Sequence, residues 1–194
     1  MQPAPTTPPP PPQLQMVWPA DRLRRPPAWS VAAGYILRPY RTEDEAGHVA
    51  VMKAAGFTTW DEKKTREAIP KCLPNGFFVI VHAAGGEVVA TAMTMHNPIE
   101  RHPSGGELGW VAGDPAHKGK GLGYAVCAAA TKRFLDAGYY DIYLRTDDFR
   151  LAALKTYLKL GYVPFLFAEG MKERWETVCR QLGLDLAGVR FMEG

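Results

Sequence analysis

Asp114-Pro-Ala-His-Lys-Gly-Lys-Gly-Leu-Gly-Tyr124 is the stretch whose reading decides the fold. It follows residues 107–112, which read as a strand, and Gly113-Asp114-Pro115 ends that strand. It precedes residues 122–137, where Leu122, Val126, Ala129 and Ala130 share one helical face and Gly138 supplies the stop. The turn therefore links a strand to a helix, and Gly119, Gly121 and Gly123 alternate within it. Glycine lets a ligand come close to the backbone and tolerates positive φ. The first amides of a helix have no partner inside it and carry the positive end of its dipole. An anion such as pyrophosphate fits that arrangement, and Lys118 and Lys120 add charge. Glycines can also serve tight packing alone; their density here, beside two lysines, argues for the anion.

Other phosphate loops fit poorly. A Walker loop places Ser or Thr after its Gly-Lys to hold magnesium, and the residue at the helix head here is Leu122. A dinucleotide fingerprint starting at Gly119 needs glycine where Tyr124 stands, and Asp141 opens its strand rather than ending it.

Outward from the turn, the pattern alternates strands and helices. Upstream, residues 35–40 read as a strand, and Thr42 with Glu45 forms a capping box for a helix carrying Val49, Val51 and Met52. Asp61 caps a second helix through Ile69. Residues 77–81 and 88–95 form an antiparallel hairpin around Ala83-Ala-Gly-Gly86. Downstream come a strand at 141–146, a helix at 151–160 with Leu151, Leu154 and Leu158 on one stripe, a strand at 162–167 and a helix at 171–182. Residues 1–34 are proline-rich. The start, with the run Pro8-Pro-Pro-Pro-Pro12, reads as a disordered or polyproline II arm, and residues 13–34 as an irregular lead-in pinned by Trp18 and Trp29. The expected organisation is thus an arm and lead-in at 1–34 and one folded domain at 35–194.

Composition narrows the class. A length of 194 residues suits one domain, and 46% apolar with 22% charged residues is ordinary for a globular chain. A net charge of +3 is too mild to argue for nucleic acid. Cys72, Cys127 and Cys179 have neither metal spacing nor a disulfide pattern, so a reducing, cytoplasmic setting is expected. No signal peptide or membrane span is expected, and no metal site.

Two motifs carry a family resemblance. Lys118-x-x-Gly121-x-Gly123 resembles the acetyl-CoA motif Arg/Gln-x-x-Gly-x-Gly/Ala of the Gcn5-related N-acetyltransferase (GNAT) superfamily, with lysine at the first position. Ala153-Leu-Lys-Thr-Tyr157-Leu-Lys-Leu-Gly161-Tyr162 resembles that superfamily's Ala-Ile-x-Leu-Tyr-x-Lys-Leu-Gly-Phe, with Arg150 where an Asn is usual. The resemblance covers about residues 35–167. It implies an α/β (α+β) fold: a mixed, mostly antiparallel sheet with splayed central parallel strands at 107–112 and 141–146, and helices on both faces. It also implies acetyl-CoA as co-substrate, held by Val111, Ala112, Gly113, Lys118, Gly119, Lys120, Gly121, Leu122, Gly123, Tyr124 and Ala153.

The implied reaction joins an amine to a thioester carbonyl. A lysine-like amine has a pKa of roughly 10.4, so only about one in two thousand is neutral at pH 7. A base must take a proton, and Glu107 is the candidate, directly or through water; a solvated strand-end acid is the plain alternative. Tyr157 is the candidate acid for the leaving thiolate, against a packing tyrosine. His96 and His102 read as loop histidines, and His117 as part of the phosphate turn. A small-molecule amine is the expected acceptor, walled by residues 57–61, residues 96–106 and the segment after Tyr162, with no nucleic acid or membrane partner; a homodimer is left open. A CoA-binding sensor without turnover is the rival reading, and an interaction protein acting through the proline arm is a third.

Overall fold

A computed structural model describes residues 11–194. The expected arm at residues 1–12 therefore lies almost wholly outside the described residues. The chain forms one eight-stranded sheet in the order β2-β3-β4-β5-β6-β1-β7-β8. Its strands are β1 (Leu14–Val17), β2 (Tyr35–Pro39), β3 (Cys72–His82), β4 (Val88–His96), β5 (Gly106–Gly113), β6 (Ile142–Thr146), β7 (Val163–Leu166) and β8 (Met192–Glu193). The helices are α1 (Glu45–Ala54), α2 (Glu62–Ala68), α3 (Leu122–Asp136), α4 (Leu151–Leu160) and α5 (Met171–Leu182). Pairing is antiparallel except between β5 and β6 and between β7 and β8. A parallel neighbour needs a long crossover, and α3 supplies it between β5 and β6.

Helices cover both faces. On one, α3, α4 and α5 close over Val126, Phe134, Leu154 and Trp175. The run Ala128-Ala-Ala130 of α3 is buried, and its small side chains let the helix axis sit close to the sheet. On the other face, α1 and α2 close over Val49, Met52, Trp60 and Val79. Asp61 caps α2 as its sequence announces, accepting from the Lys64 amide at 2.8 Å. The Thr42–Glu45 box does not form. Residues Thr42–Asp44 make a 3-10 turn instead, and Asp44 accepts from the Arg41 amide at 2.8 Å while Arg38 grips its carboxylate.

The reading of residues 13–34 as an irregular lead-in fails at Leu14–Val17. These four residues form β1, inserted between β6 and β7. All four are buried, Gln15 included. A strand covered on both faces shows no polar alternation, and prolines at 12 and 19 bracket it closely. Arg22 ties the next turn down. Its guanidinium lies where a side chain on Gly161 would stand and donates to the Leu160 carbonyl at 3.3 Å.

One feature of the sheet sets up a site. β5 and β6 pair only at Gly106–Ile142 and Glu107–Tyr143. Beyond that point β6 continues its ladder with β1 on its other side, and β5 continues with β4. The two parallel strands therefore splay, and a wedge opens between them.

Candidate active site

The α3 head follows the splayed end of β5 along the chain. Gly119 and Gly121 have φ of 85° and 73°, in the left-handed region that favours glycine. The helix ladder begins with the Ala125 amide, which donates to the Gly121 carbonyl. Among the described residues, the amides of 119 to 124 donate to no protein acceptor. A side chain built on Gly119, Gly121 or Gly123 would meet no atom within 4 Å. These glycines therefore face open space and serve no close packing. Lys118 is exposed beside them. Lys120 is engaged elsewhere: its Nζ lies 2.6 Å from the Tyr35 hydroxyl. Leu122 contributes its amide, since its side chain is buried in the core.

The wedge deepens into a cleft of about 230 Å³ lined by Glu107, Trp110, Val111, Arg145, Ala153 and Tyr157, among others. A β-bulge shapes its β5 wall. The register against β4 passes from Thr91–Ala112 to Met93–Gly109, so two residues of β5 oppose one. Trp110 sits in that bulge with φ of 50°, uncommon for a bulky residue. The bulge points its indole at Trp60, with ring centroids 4.4 Å apart, and at Phe57. Arg150 stacks over Phe57 at 4.3 Å and donates to Asp147. Phe57, Trp110 and Arg150 thus give the cleft an aromatic and cationic wall.

Glu107 is buried at the floor of the splay, at the last paired position of β5. Arg145 Nε donates to its Oε1 at 2.8 Å and Arg145 Nη2 to its Oε2 at 3.0 Å. Asn97 Nδ2 also donates to Oε2. A carboxylate offers about four lone-pair positions. Three are taken, and one on Oε1 remains. Asn97 is itself locked, since its carbonyl accepts from Tyr143 at 2.7 Å. Burial pushes the Tyr143 hydroxyl up to about 12, so it stays a donor.

Tyr157 projects from α4 into the same cleft. It is only 5% exposed, and its hydroxyl has no hydrogen-bond partner among the described residues. Burial holds its pKa well above the usual tyrosine value. The phenol is therefore neutral at physiological pH and has a proton to give.

Comparison with known proteins decides the family. The model of the acetyltransferase (GNAT) family matches residues 31–162. This chain belongs to the GNAT family. Among curated proteins, the GNAT chain is 32% identical to a mycothiol acetyltransferase of Paenarthrobacter aurescens over 63% of its own length and 35% of that protein. It is 30% identical to a mycothiol acetyltransferase of Thermobispora bispora over 73% of its length and 52% of that protein. The chain thus spans a third to a half of these relatives. A GCN5-related N-acetyltransferase from Sphaerobacter thermophilus superposes with a TM-score of 0.63 at 17% identity, covering 79% of this chain and 49% of that one. The NatC complex bound to Gag peptide and CoA superposes with a TM-score of 0.58 at 17% identity, covering 66% of this chain and 83% of that one. These likenesses establish the GNAT fold.

Within the GNAT chain, the candidate site residues fall in two places: four line the cleft, while Lys120, Gly121 and Tyr124 line a separate hollow with Trp29 and Lys159. Glu107, Val111, Ala153 and Tyr157 line one cleft, and Gly119 to Tyr124 stand at the α3 head. Two of the histidines do not join them. His96 pairs with the Tyr139 hydroxyl at 2.7 Å. His102 is buried between Asp141 and Gln15 and stacks on Tyr143. Sequence reasoning missed Asn97 and Arg145. Arg145 alternates with buried Leu144 and Thr146 on β6, and a lone arginine inside a buried strand is the signal that could have found it.

Proposed function

We propose that the chain transfers an acetyl group from acetyl-CoA to a primary amine of a small molecule by direct attack. The observation that carries this is the α3 head: six successive amides without acceptors, beside glycines facing open space, on the segment that follows the splayed end of β5. Those amides and Lys118 suit the pyrophosphate. Val111, Ala112 and Gly113 offer the strand edge that β6 leaves uncovered. Acetyl-CoA supplies the activated acyl carbon.

The chain's own residues do the rest. The free lone pair on Glu107 Oε1 takes a proton from the ammonium, directly or through one water. Arg145 and Asn97 hold that carboxylate in place. As the C–N bond forms and the C–S bond breaks, Tyr157 gives its proton to the departing sulfur, and the second proton of the amine nitrogen passes to the phenolate and restores it. The wall of Trp110, Trp60 and Phe57 excludes water and holds the acceptor. The matched relatives are named mycothiol acetyltransferases, which favours a small-molecule acceptor over a protein.

The close grip of Arg145 on Glu107 favours one other reading, a CoA-binding protein without turnover. A thiol-release assay with acetyl-CoA across a library of amines separates the two. Release with at least one amine is expected; binding without release for any amine leaves only the sensor. Tyr157→Phe tests the proton donor. Its rate should fall about 10²-fold or more with acetyl-CoA. An aryl thioester, whose thiolate leaves without a proton, should restore much of that loss. An equal deficit with both donors would remove Tyr157 from the reaction.

A further inference from the structure

His82, Glu87 and His117 come from three places in the chain and meet beside the β3–β4 hairpin. His82 ends β3, Glu87 immediately precedes β4, and His117 lies in the turn between β5 and Lys118. One donor atom from each lies within 4.8 Å of the other two. His82 Nδ1 is 2.7 Å from Glu87 Oε1, and His117 Nε2 is 3.9 Å from the same oxygen. None of the three lines the cleft between β5 and β6.

The surroundings hold this geometry. The His82 amide donates to the Glu87 carbonyl at 3.0 Å, which fixes the two residues across the turn. The Glu87 carboxylate folds back over Gly85, and a side chain there would collide with Oε2. Tyr35 packs against both imidazoles, at 5.1 Å from His82 and 5.6 Å from His117. Its hydroxyl lies 2.8 Å from His117 Nδ1. That bond leaves Nε2 as the free nitrogen of His117. Nε2 faces Glu87 and has no hydrogen-bond partner among the described residues.

We propose that His82, Glu87 and His117 form a three-ligand site for a divalent transition-metal ion, zinc by its donor set. Two imidazoles and a carboxylate with an open fourth position is a set that zinc takes. Ligand bonds of about 2.0–2.2 Å place the donors of a tetrahedral zinc site roughly 3.3 Å apart. The separations of 2.7 and 3.9 Å fall on either side of that value, and the third, between the two imidazoles, lies within 4.8 Å, so the site closes by side-chain movement alone. A metal-bound histidine donates its other N–H to a fixed acceptor, and the Tyr35 hydroxyl stands at His117 Nδ1 for that purpose. Glu87 is exposed and gives the ion a path from solvent. A plain hydrogen-bonded cluster would account for His82 and Glu87. It would leave unexplained the free Nε2 of His117, aimed at the same oxygen.

The site adjoins the phosphate turn, through His117 and through the Tyr35 hydroxyl that also meets Lys120, so its test reads metal binding and not activity. Tag-free full-length protein, stripped with chelator, is titrated with Zn²⁺ by calorimetry and with Co²⁺ by visible absorption. One equivalent of Zn²⁺ and an intense tetrahedral Co²⁺ band are expected. His82→Ala, His117→Ala and Glu87→Gln should each weaken Zn²⁺ binding by more than ~10-fold. Tyr35→Phe, which keeps all three ligands, should weaken it by about 10-fold through the lost acceptor. Gly85→Ala displaces the carboxylate at no expected cost to folding and should weaken it too. His96→Ala should bind as the parent does. Less than one equivalent, or parental affinity in both His82→Ala and His117→Ala with native circular dichroism, overturns the proposal. So does an equal loss in His96→Ala.

Discussion

The α3 head and the floor of the wedge are built in opposite ways. At the α3 head, the amides of 119 to 124 have no acceptor and the glycine faces are open. At the floor, Glu107 receives three donors from two other elements and is buried. The first is polar capacity left unspent by folding, which a ligand can use. The second is polar capacity nearly spent by folding, which fixes one side chain and leaves a single lone pair. Binding and chemistry therefore place different demands on the chain. An anion site needs only a local run of backbone, whereas a positioned carboxylate needs partners brought from a distance.

The largest effect should come from the floor. Glu107→Gln keeps the size of the side chain but cannot take a proton. Turnover should fall about 10²–10⁴-fold, while the dissociation constant for acetyl-CoA stays within about twofold. Stopped assays with a thiol reagent and calorimetry on the same sample check both numbers. A variant that turns over like the parent would show that the three-donor carboxylate is scaffold only. The comparison would then reduce to binding against packing.

Next is the α3 head. Gly121 caps α3 with φ of 73°. A side chain in that conformation costs about 1–2 kcal/mol, and its Cβ would stand in the open space where the ligand comes. Losing one or two charge-assisted amide bonds costs about 3 kcal/mol more in binding. Gly121→Ala should therefore weaken acetyl-CoA by roughly 100-fold. The thermal midpoint without ligand should fall by about 2–8 °C. Unchanged affinity would mean that the free amides bind nothing.

These two regions also differ in how far the amino-acid sequence discloses them. The glycine spacing, the following helix and Tyr157 four residues after Ala153 lie within short windows, and each forms locally: Gly121 caps α3, and Ala153 and Tyr157 line the cleft. The Glu107 shell was hidden. Arg145 lies 38 residues away and Asn97 sits in a loop, so only the β5–β6 pairing brings the first to Glu107 and only the β4–β5 register brings the second. β1 was hidden for a related reason. Four residues buried on both faces carry no period, and the partners that make them a strand, β6 and β7, lie more than 120 residues downstream. The bulge at Trp110 was also illegible, because its cause is the register between β4 and β5 and not a glycine.

An unpartnered polar group is not always a binding site, and His48 sharpens that point. Both of its ring nitrogens lack partners, as at the α3 head, but it is sealed among Tyr40, Trp60 and Phe77. Burial lowers its pKa from the ordinary 6.5 to about 4. The folded chain therefore keeps it neutral while the unfolded chain protonates it. Between pH 6.5 and 4 the unfolded state binds more protons, and stability falls as the pH drops, by on the order of 3 kcal/mol across the window. Above pH 6.5 the contribution is complete and flat. Urea unfolding at pH 7 and pH 5 should show the loss in the parent, and His48→Phe should reduce it. A pH dependence identical in both proteins would deny that the sealed imidazole costs anything.

The smallest effect should come from a glycine at the same site that is not bound by the same need. Gly113 ends β5 beside the proposed strand edge. Its φ is not in the left-handed region, and a side chain built on it meets no atom within 4 Å. Its backbone is therefore open to any residue, unlike that of Gly121. Gly113→Ala restricts mainly the unfolded chain and should stabilise by about 0.4–1 kcal/mol. Acetyl-CoA binding should stay within a few-fold, because Gly113 would contribute backbone groups that alanine also has. A collapse of binding in Gly113→Ala as deep as in Gly121→Ala would show that the ligand fills the space over both glycines. The open face, and not the left-handed turn, would then be what the α3 head and the strand end have in common.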